Sequence, residues 1–437
     1  LQFSSRTSAA RSELDWTHQL AHGSLDVKTS ASLTDRNAFT TFDGYDDQQE
    51  LALLRTVLGH TRDATVSLKG KLTIEVSDTN SLAYGWDGDY THRQENRLQN
   101  DITPTGLAPD NLDDAYIAAV ARFAMFAQDE LQVLPRLTAY YGIRWEGLDT
   151  KTTGNTIDIV HNRSGVWSPV LQLAWKPSEA GKTELDAALS RTYKAPTTAE
   201  LVPRRFFSDI NTQVTPDTQG NPNLRPELAW GVDVSATRPI EDDGTVAVRA
   251  FLRKIDNVIL QNIINNNQDG RWVSFPVNNG GARVTGLSLE SKINLRSVYT
   301  HAPPVNLSFS VERTWSRVDA LPGPNNLVAR ELPFSATIGI DYAPTKKVAF
   351  GTSLAYQGTS LTQLSDTQAA YSGVVRNVDF YGTWKFTAKG QLRLSVKNVL
   401  HQDRLKYSSF IDATDTIYGY YATPSYTIGR VTVELAF

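Results

Sequence analysis

The chain has 437 residues, a formal net charge of −4 and no cysteine. This length is more than one ordinary soluble core needs, and it suits a single large β-barrel. The charge balance does not favour nucleic acid as a partner. The absence of cysteine excludes a disulfide framework and thiolate metal sites. No run approaches the roughly 18 apolar residues of a transmembrane helix.

Apolar and polar side chains alternate along most of the chain, as from Val305 to Val311, where Val, Leu and Phe alternate with Asn and Ser. A period of two predicts β-strands with one apolar and one polar face. In chain order, the predicted strands lie near 13–20, 23–34, 63–75, 81–94, 115–130, 136–148, 165–177, 183–196, 229–239, 244–261, 282–295, 304–318, 332–344, 347–358, 374–387, 391–403 and 426–437.

The predicted connections alternate in length. Tight turns such as Ala21-His-Gly23 and Ala388-Lys-Gly390 follow one end of the strands. The other connections are long, near 35–62, 95–114, 149–164, 197–228, 262–281, 319–331, 359–373 and 404–425. A soluble sandwich could share the alternation of side chains, but strict segregation of loops is typical of outer-membrane barrels. We therefore predict an all-β, antiparallel transmembrane β-barrel of the outer membrane, with its apolar face towards lipid and its long loops extracellular.

The last predicted strand ends on an aromatic residue, Phe437. In outer-membrane barrels such a strand closes the barrel and its terminal ring lies at the membrane interface, so Phe437 is the predicted closure residue. Seventeen predicted strands are an odd number, whereas bacterial single-chain barrels normally have an even number. We therefore expect material before residue 13 to be missing. Residues 1–12 would be a loop remnant or the end of another strand, and the chain would hold the last ~17 strands of a 22-strand barrel.

Several segments resemble the barrel of TonB-dependent outer-membrane receptors. Thr192-Tyr-Lys-Ala-Pro196 and Gly220-Asn-Pro-Asn-Leu-Arg-Pro-Glu227 are similar to two paired boxes of that family, and Phe123 to Glu130, Asn279 to Glu290 and Asp379 to Leu400 are similar to its hairpins. The likeness spans roughly residues 80–437. The residues that carry the two boxes are Tyr193, Ala195, Pro196, Asn221, Pro222, Asn223, Leu224, Pro226 and Glu227.

The resemblance implies active import of a scarce nutrient, most often a ferric siderophore, by a monomeric receptor of the Gram-negative outer membrane. In the family, the TonB–ExbB–ExbD complex acts on an N-terminal plug domain that fills the barrel. The barrel-assembly machinery and lipopolysaccharide are further expected partners, and no cofactor is implied. No plug or TonB box is recognisable here, so residues 1–437 are expected to be one barrel domain, incomplete at its N-terminus and without its plug.

Candidate ligand contacts lie in three of the long loops. Two arginines beside two phenylalanines, between the two boxes, could hold an anionic, aromatic ferric chelate by charge and stacking. The arginines could equally bind lipopolysaccharide phosphates while the phenylalanines pack the loop. Polar and aromatic residues of the 262–281 and 404–425 loops suit the same ligands, although such compositions are also ordinary in surface loops. The candidates are Arg204, Arg205, Phe206, Phe207, Arg271, Trp272, Tyr407, Tyr420 and Tyr421.

The sequence gives little support for catalysis, metal binding or haem binding. No hydrolase, zinc-peptidase or phosphate-loop pattern occurs, so we expect no catalytic residues. Carboxylates cluster at 43–50 and 110–114 without EF-hand spacing, so we expect solvated charge and no metal site. The absence of His between Pro196 and Gly220 counts against haem. Charged residues of the last strands, from Asp379 to Glu434, are expected to share one face and, by the resemblance, to contact the plug.

Three kinds of alternative remain open at the level of sequence. The same family could carry another cargo: cobalamin, haem, another metal chelate or a saccharide. A passive porin-like channel would share the strand pattern. A surface binding protein, such as an adhesin or a phage or bacteriocin receptor, would bind without energised uptake.

Overall fold

The computed structural model describes residues 2–104, 111–178, 182–208, 211–240, 244–329 and 331–435. Within these ranges the chain is almost entirely β-structure, with two helices of a single turn each. No helix in the part of the chain that the structure describes is long and apolar enough to cross a membrane.

The strands and helices follow one another in this order. The first eight strands are β1 Gln2–Leu20, β2 Gly23–Tyr45, β3 Leu51–Ser77, β4 Asn80–Ile102, β5 Leu112–Leu134, β6 Leu137–Gly154, β7 Val160–Trp175 and β8 Glu184–Lys194. They are followed by α1 Thr198–Leu201, β9 Arg205–Phe206, β10 Asp217–Gln219, β11 Glu227–Ile240, β12 Gly244–Asp256, β13 Ile259–Asn265, β14 Trp272–Asn278, β15 Gly281–Asn294 and α2 Leu295–Val298. The chain ends with β16 Val305–Val318, β17 Phe334–Thr345, β18 Val348–Gln357, β19 Ser360–Gln363, β20 Gln368–Ser372, β21 Val375–Thr387, β22 Gly390–Lys397, β23 Arg404–Ile411, β24 Thr416–Thr423 and β25 Ile428–Leu435.

Seventeen of these strands form one antiparallel sheet in which neighbours in space follow one another along the chain. The order is β1 to β8, β11, β12, β15 to β18, β21, β22 and β25. Each of the seventeen predicted strands corresponds to one of them. Among the described residues no pairing joins β1 to β25, so these two are the edges of the sheet. Phe437, the predicted closure residue, lies outside the described residues.

The sheet has one apolar and one polar face. In β4, Tyr84, Tyr90 and Leu98 are exposed on one side. On the other side, Asp87 forms an ion pair with a lysine of β3 and Asp89 with an arginine of β5. The same division continues along the sheet, where large apolar side chains stand exposed on nearly every strand. An apolar surface of this extent is one that a membrane or a partner covers.

Three of the long loops were predicted too long, because strands extend into them. The strands β2 and β3 continue through most of 35–62, and pair from Gly23↔Ile74 to Tyr45↔Leu51. In the same way β4 and β5 shorten the 95–114 loop, and β6 and β7 shorten the 149–164 loop. Apolar residues there no longer keep to one face, as at the adjacent Leu53 and Leu54, so the alternation ends although the hairpins continue. A strand of about 9 to 11 residues already crosses a bilayer, so these hairpins project beyond it.

The prediction that residues 1–12 are a loop remnant or the end of a different strand is also wrong. From Gln2 onwards they belong to β1, which pairs with β2 along its whole length. Two predicted strands are also too long. The predicted 244–261 segment breaks at Asn257 and the 391–403 segment ends before Asn398, because both asparagines have positive φ, 58° and 53°. Asparagine tolerates this left-handed conformation better than most residues, and the conformation ends the ladder.

The remaining long connections gather on one rim, which we call the loop rim; the opposite edge, with turns such as 21–22 and 346–347, is the turn rim. Two small sheets form from the connections of the loop rim. Loop sheet A comprises β9, β10, β13 and β14, and loop sheet B comprises β19, β20, β23 and β24. A small apolar cluster at the loop rim, centred on Val258, Ala282 and Val318, packs where β13, β15 and β16 meet.

Contacts of the 195–226 connection show that the main sheet is curved. Arg204 reaches Glu95 in β4, and the backbone of Gln213 accepts a hydrogen bond from Gln368 in β20, which leads into β21. β20 lies in the connection between β18 and β21, and in a flat sheet β4 and β18 would be ten spacings, or about 48 Å, apart. The nine Cα–Cα steps from Arg204 to Gln213 span at most about 31 Å. The polar face is therefore the concave, inner face.

Candidate functional site

The 195–226 connection begins with a capped turn of helix. Thr197 and Glu200 form a capping box at α1, in which each side chain accepts a hydrogen bond from the backbone of the other. At the far end of the connection, the backbone N–H of Gly220 donates to Val202 (3.1 Å) and that of Asn221 donates to Glu200 (2.6 Å). The two ends of the connection are thus joined beside α1.

The second sequence box is a structural hub. The Asn221 side chain donates to the Pro276 carbonyl of β14 (3.0 Å). Asn162 of β7 donates to the carbonyls of Pro222 (2.7 Å) and Leu224 (3.1 Å). Leu224 is buried, as is Pro226, while Asn223 is exposed. These contacts attach loop sheet A to the wall of the main sheet.

The strand ends beside the two boxes are also tied together. Glu227 accepts a hydrogen bond from the Ile259 backbone (2.7 Å) and forms an ion pair with Lys194 (3.0 Å). In the first box, the Tyr193 hydroxyl donates to the carboxylate of Glu146. Ala195 is half-buried and Pro196 is buried at the end of β8. The box residues therefore hold the connection in place.

Arg204 is buried, at 3% exposure, against the inner face of the wall. Its guanidinium forms ion pairs with Glu95 (Nη1–Oε1 3.2 Å) and with the equally buried Asp114. It also lies over the rings of Tyr116 (5.3 Å) and Phe206 (4.6 Å). Two carboxylates already neutralise this arginine, so the structure places it as an anchor beneath the loop.

Arg205 and Arg271 surround a second buried carboxylate. Asp217, with no exposed surface, accepts hydrogen bonds from Arg205 (Nε–Oδ2 3.0 Å) and from two nitrogens of Arg271 (2.8 and 2.7 Å). Asp269 forms an ion pair with Arg205 (2.6 Å). The ring of Phe207 lies 5.3 Å from each of the two guanidinium carbons. Two arginines and two aspartates therefore balance each other in loop sheet A.

The ionisation of Asp217 follows from these partners. Burial alone would raise its pKa, but hydrogen bonds from Arg271 and from the backbone N–H of Ser208 outweigh it and hold the pKa below its ordinary value. The pKa of Asp269 is also lowered, mainly by its hydrogen bond from Arg205. Both carboxylates are thus charged at neutral pH.

Loop sheets A and B contact each other. The ring of Trp272, at the start of β14, meets the ring of Phe410 edge to face, with centroids 5.3 Å apart. Phe410 is buried at 3% exposure. The Gln368 side chain donates to the Gln213 carbonyl (2.7 Å). The connections of the loop rim therefore form one assembly over the inner face.

The tyrosines of loop sheet B have different environments. Tyr407 stacks on Tyr371 with centroids 4.6 Å apart. Tyr420 pairs with Tyr407 in the register of β23 and β24, and it is 66% exposed. Tyr421 points to the opposite side of β24 and is also exposed. Of the predicted contacts, Tyr420 and Tyr421 are the exposed ones, Tyr407 is half-buried, and Arg204 is enclosed.

Several important residues had no signal in the sequence. Asp217 and Phe410 organise the loops, yet nothing in their local pattern sets them apart. Asp114 belongs to the 110–114 carboxylate cluster, for which solvated charge was the wrong prediction, because Asp114 is buried and paired with Arg204. The partners of these residues are distant in the chain, and only the fold brings them together. Two arginines beside two phenylalanines predicted positive charge that could bind a ligand. The sequence could not show which carboxylates of the protein already pair with those arginines.

The carboxylate clusters and histidines have ordinary partners. Asp46 accepts hydrogen bonds from the backbone of Gln48 and Glu50 in the turn between β2 and β3. His60 lies 2.9 Å from Asp35. Over the described ranges no group of three or more His, Cys, Asp or Glu residues is placed to hold a metal ion. Asp110 lies outside those ranges.

A large antiparallel sheet with an apolar outer face, a charged inner face and its long connections on one rim defines an outer-membrane β-barrel. A sequence model of the TonB-dependent receptor-like β-barrel family matches residues 2–399. The chain belongs to this family, which is one of outer-membrane transport receptors. None of the curated protein sequences matches the chain.

Solved structures of similar fold include several metal transporters. The unliganded ferric citrate transporter FecA superposes with a TM-score of 0.69 at 14% identity, over 99% of this chain and 62% of that protein. The ferric yersiniabactin uptake receptor FyuA from Yersinia pestis gives 0.67 at 13%, over 99% and 62%. The copper transporter OprC gives 0.68 at 12%, over 99% and 66%. The chain thus spans about two thirds of the length of the proteins it resembles.

Proposed function

We propose that this chain is the barrel of an active-transport receptor that imports a ferric siderophore across the outer membrane. TonB–ExbB–ExbD supplies the energy by acting on a plug domain. The loop rim faces the cell exterior, where loop sheets A and B receive the cargo, and the turn rim faces the periplasm. The whole receptor acts as a monomer, inserted by the barrel-assembly machinery and surrounded by lipopolysaccharide.

One observation carries this proposal. The connections of the loop rim fold into two sheets that contact each other and the inner face. At the turn rim, the longest connection that the structure describes in full is 295–304, which holds the single helical turn α2. A passive pore has no need for such an assembly above its lumen. A receptor that binds a scarce ligand before transport does need a surface of this kind. The ferric citrate and ferric yersiniabactin transporters named above share the fold.

Within the site, the candidates separate by their accessibility. Arg204 and Phe206 lie at the bottom of the loop assembly, against the inner face of the wall. Arg205, Phe207 and Arg271 surround Asp217, which balances part of their charge. We propose that direct ligand contact comes from Tyr407 and Tyr420, with Trp272 joining the two sheets, and that Tyr421, on the other side of β24, does not touch the cargo. The boxes from Tyr193 to Pro196 and from Asn221 to Glu227 support the site without touching cargo.

The structural similarity to a copper transporter favours one second candidate, a chelate of another metal. The test measures uptake of ⁵⁵Fe and ⁶⁴Cu chelates by a strain that lacks the native gene and by the same strain carrying the full gene. We expect the full gene to restore uptake of at least one ferric chelate. Restored copper uptake alone would replace iron with copper as the cargo.

A bilayer measurement separates transport from passive flow. The native receptor in a planar bilayer should show almost no steady ion conductance, because its lumen is filled when the plug is in place. Open-channel conductance together with no specific chelate uptake would support the porin-like alternative and contradict the proposal.

A further inference from the structure

Loop sheet B has one covered and one open face. On the covered face, Phe410 packs against Trp272 and Gln368 donates to Gln213. Because side chains alternate along a strand, the register places Tyr371, Tyr407 and Tyr420 together on the other face. A sheet with one side fixed against loop sheet A presents its other side in a defined orientation.

The open face carries a row of tyrosine rings across three strands. Tyr371 and Tyr407 stack with their planes 16° apart, and Tyr420 is the direct cross-strand partner of Tyr407. Tyr418 lies two residues before Tyr420 on the same face of β24. The two rings of β24 are 66% and 65% exposed. The row is therefore a stacked pair that continues into exposed rings, where a further flat ring can stack.

Charge does not dominate this face. The guanidinium groups of Arg205 and Arg271 in loop sheet A are balanced by Asp217 and Asp269. Lys406 of β23 lies on the covered-face side, opposite to Tyr407. A ligand on the open face would thus be held mainly by its rings, with the tyrosine hydroxyls available to donate to ring oxygens.

We propose that Tyr371, Tyr407, Tyr418 and Tyr420 form an aryl-binding surface, and that the cargo is a ferric chelate with catecholate or phenolate rings. Carboxylate and aliphatic hydroxamate chelates lack the flat ring that this surface selects. The identity of the metal rests on the proposed function, whereas ring stacking does not depend on it. One aromatic pair in an offset stack contributes roughly a 2- to 12-fold difference in affinity.

The test measures binding to de-energised cells of the deletion strain that carry the full gene. The probes are ferric tris(2,3-dihydroxybenzoate), ferric citrate and the ferric trihydroxamate of desferrioxamine. The first should bind more tightly than the other two. Tyr420→Ala should weaken its binding about 5- to 10-fold, and addition of Tyr418→Ala should weaken it further. Both side chains are exposed, so these variants keep the fold, and immunoblots confirm their amounts in the membrane.

Two variants serve as matched controls. Tyr420→Phe keeps the ring and should stay within about twofold of the native receptor. Tyr421→Ala removes a comparably exposed tyrosine from the opposite side of the same strand, and it too should stay within about twofold. Equal losses in Tyr420→Ala and Tyr421→Ala would overturn the assignment to the open face, as would tighter binding of ferric citrate or of the ferric trihydroxamate than of the catecholate complex.

Failure of this inference can be told apart from failure of the proposed function. Energised uptake of ferric citrate that Tyr420→Ala leaves unchanged would overturn the aryl surface and retain iron import. Tight, Tyr420-dependent binding of the catecholate complex without any uptake would retain the surface and overturn iron import.

Discussion

Replacement of Arg204 by alanine should release the 195–226 connection from the inner wall. Arg204 and Asp114 are both almost fully buried, and Glu95 is the second partner of the guanidinium. Removal of one member of a buried ion pair leaves the other charge without compensation, which costs about 3–5 kcal/mol. In Arg204→Ala, Asp114 would lose its cationic partner and keep its hydrogen bond from Thr156 (2.6 Å).

Hydrogen exchange is the suitable assay, because the change should be local. The strands of the wall keep their own ladders, so the variant should still assemble in the membrane. A cost of 3–5 kcal/mol corresponds to roughly 200- to 5,000-fold faster exchange by local opening. The affected amides should be those of the anchored segment, such as the N–H of Val202, which donates to Thr198. Arg204→Lys should lie between the native receptor and the alanine variant.

Arg225→Ala is the matched control. Arg225 belongs to the same connection, and its side chain is exposed. Its replacement should alter exchange less than about twofold, because exposed charges contribute little. Equal exchange in Arg204→Ala and Arg225→Ala would refute the view that Arg204 anchors the loop.

Three further predictions concern the same rim. Asp217 has a lowered pKa, so the stability that it gives the folded loop is complete above pH ~3.9, the ordinary aspartate pKa, and is lost as the pH falls through the lower pKa of the folded state. The protease resistance of loop sheet A should therefore drop only at such acidic pH. Asp217→Asn should abolish this protease resistance at neutral pH. Gly220→Ala should loosen the connection, because a Cβ there would lie 2.1 Å from the carbonyl oxygen of Val202; thermolysin should cut the variant faster than the native receptor. Trp272→Ala removes the ring that packs on Phe410 and should raise exchange in both loop sheets, whereas Trp272→Phe should raise it less.

The strands of the wall were predictable from the sequence because each had to satisfy a local rule. A sheet that is apolar on one face imposes alternation on every strand, and a register shift of one residue would reverse the faces. The ends of the strands were less predictable. From residue 35 to residue 62 apolar residues fall on both faces, so the alternation disappears while the β2–β3 hairpin continues.

The loops were less predictable for a different reason. Glu95 and Arg204 are separated by 109 residues, and no local pattern indicates that one connection crosses the inner face to reach β4. The arginines and aromatic residues were predicted as ligand contacts, but an unpaired arginine and a buried, paired arginine look the same in a sequence. The Asn221-to-Glu227 box predicted the family, while its contacts show how it supports the loop rim.

Energised uptake decides whether this barrel belongs to an active transporter. Cells that carry the full gene are loaded with a bound ⁵⁵Fe chelate, and iron entry is followed with TonB present and after TonB depletion. Active import predicts unchanged binding in both states and iron entry only with TonB. Entry at the same rate without TonB would contradict it, because a passive barrel would then suffice.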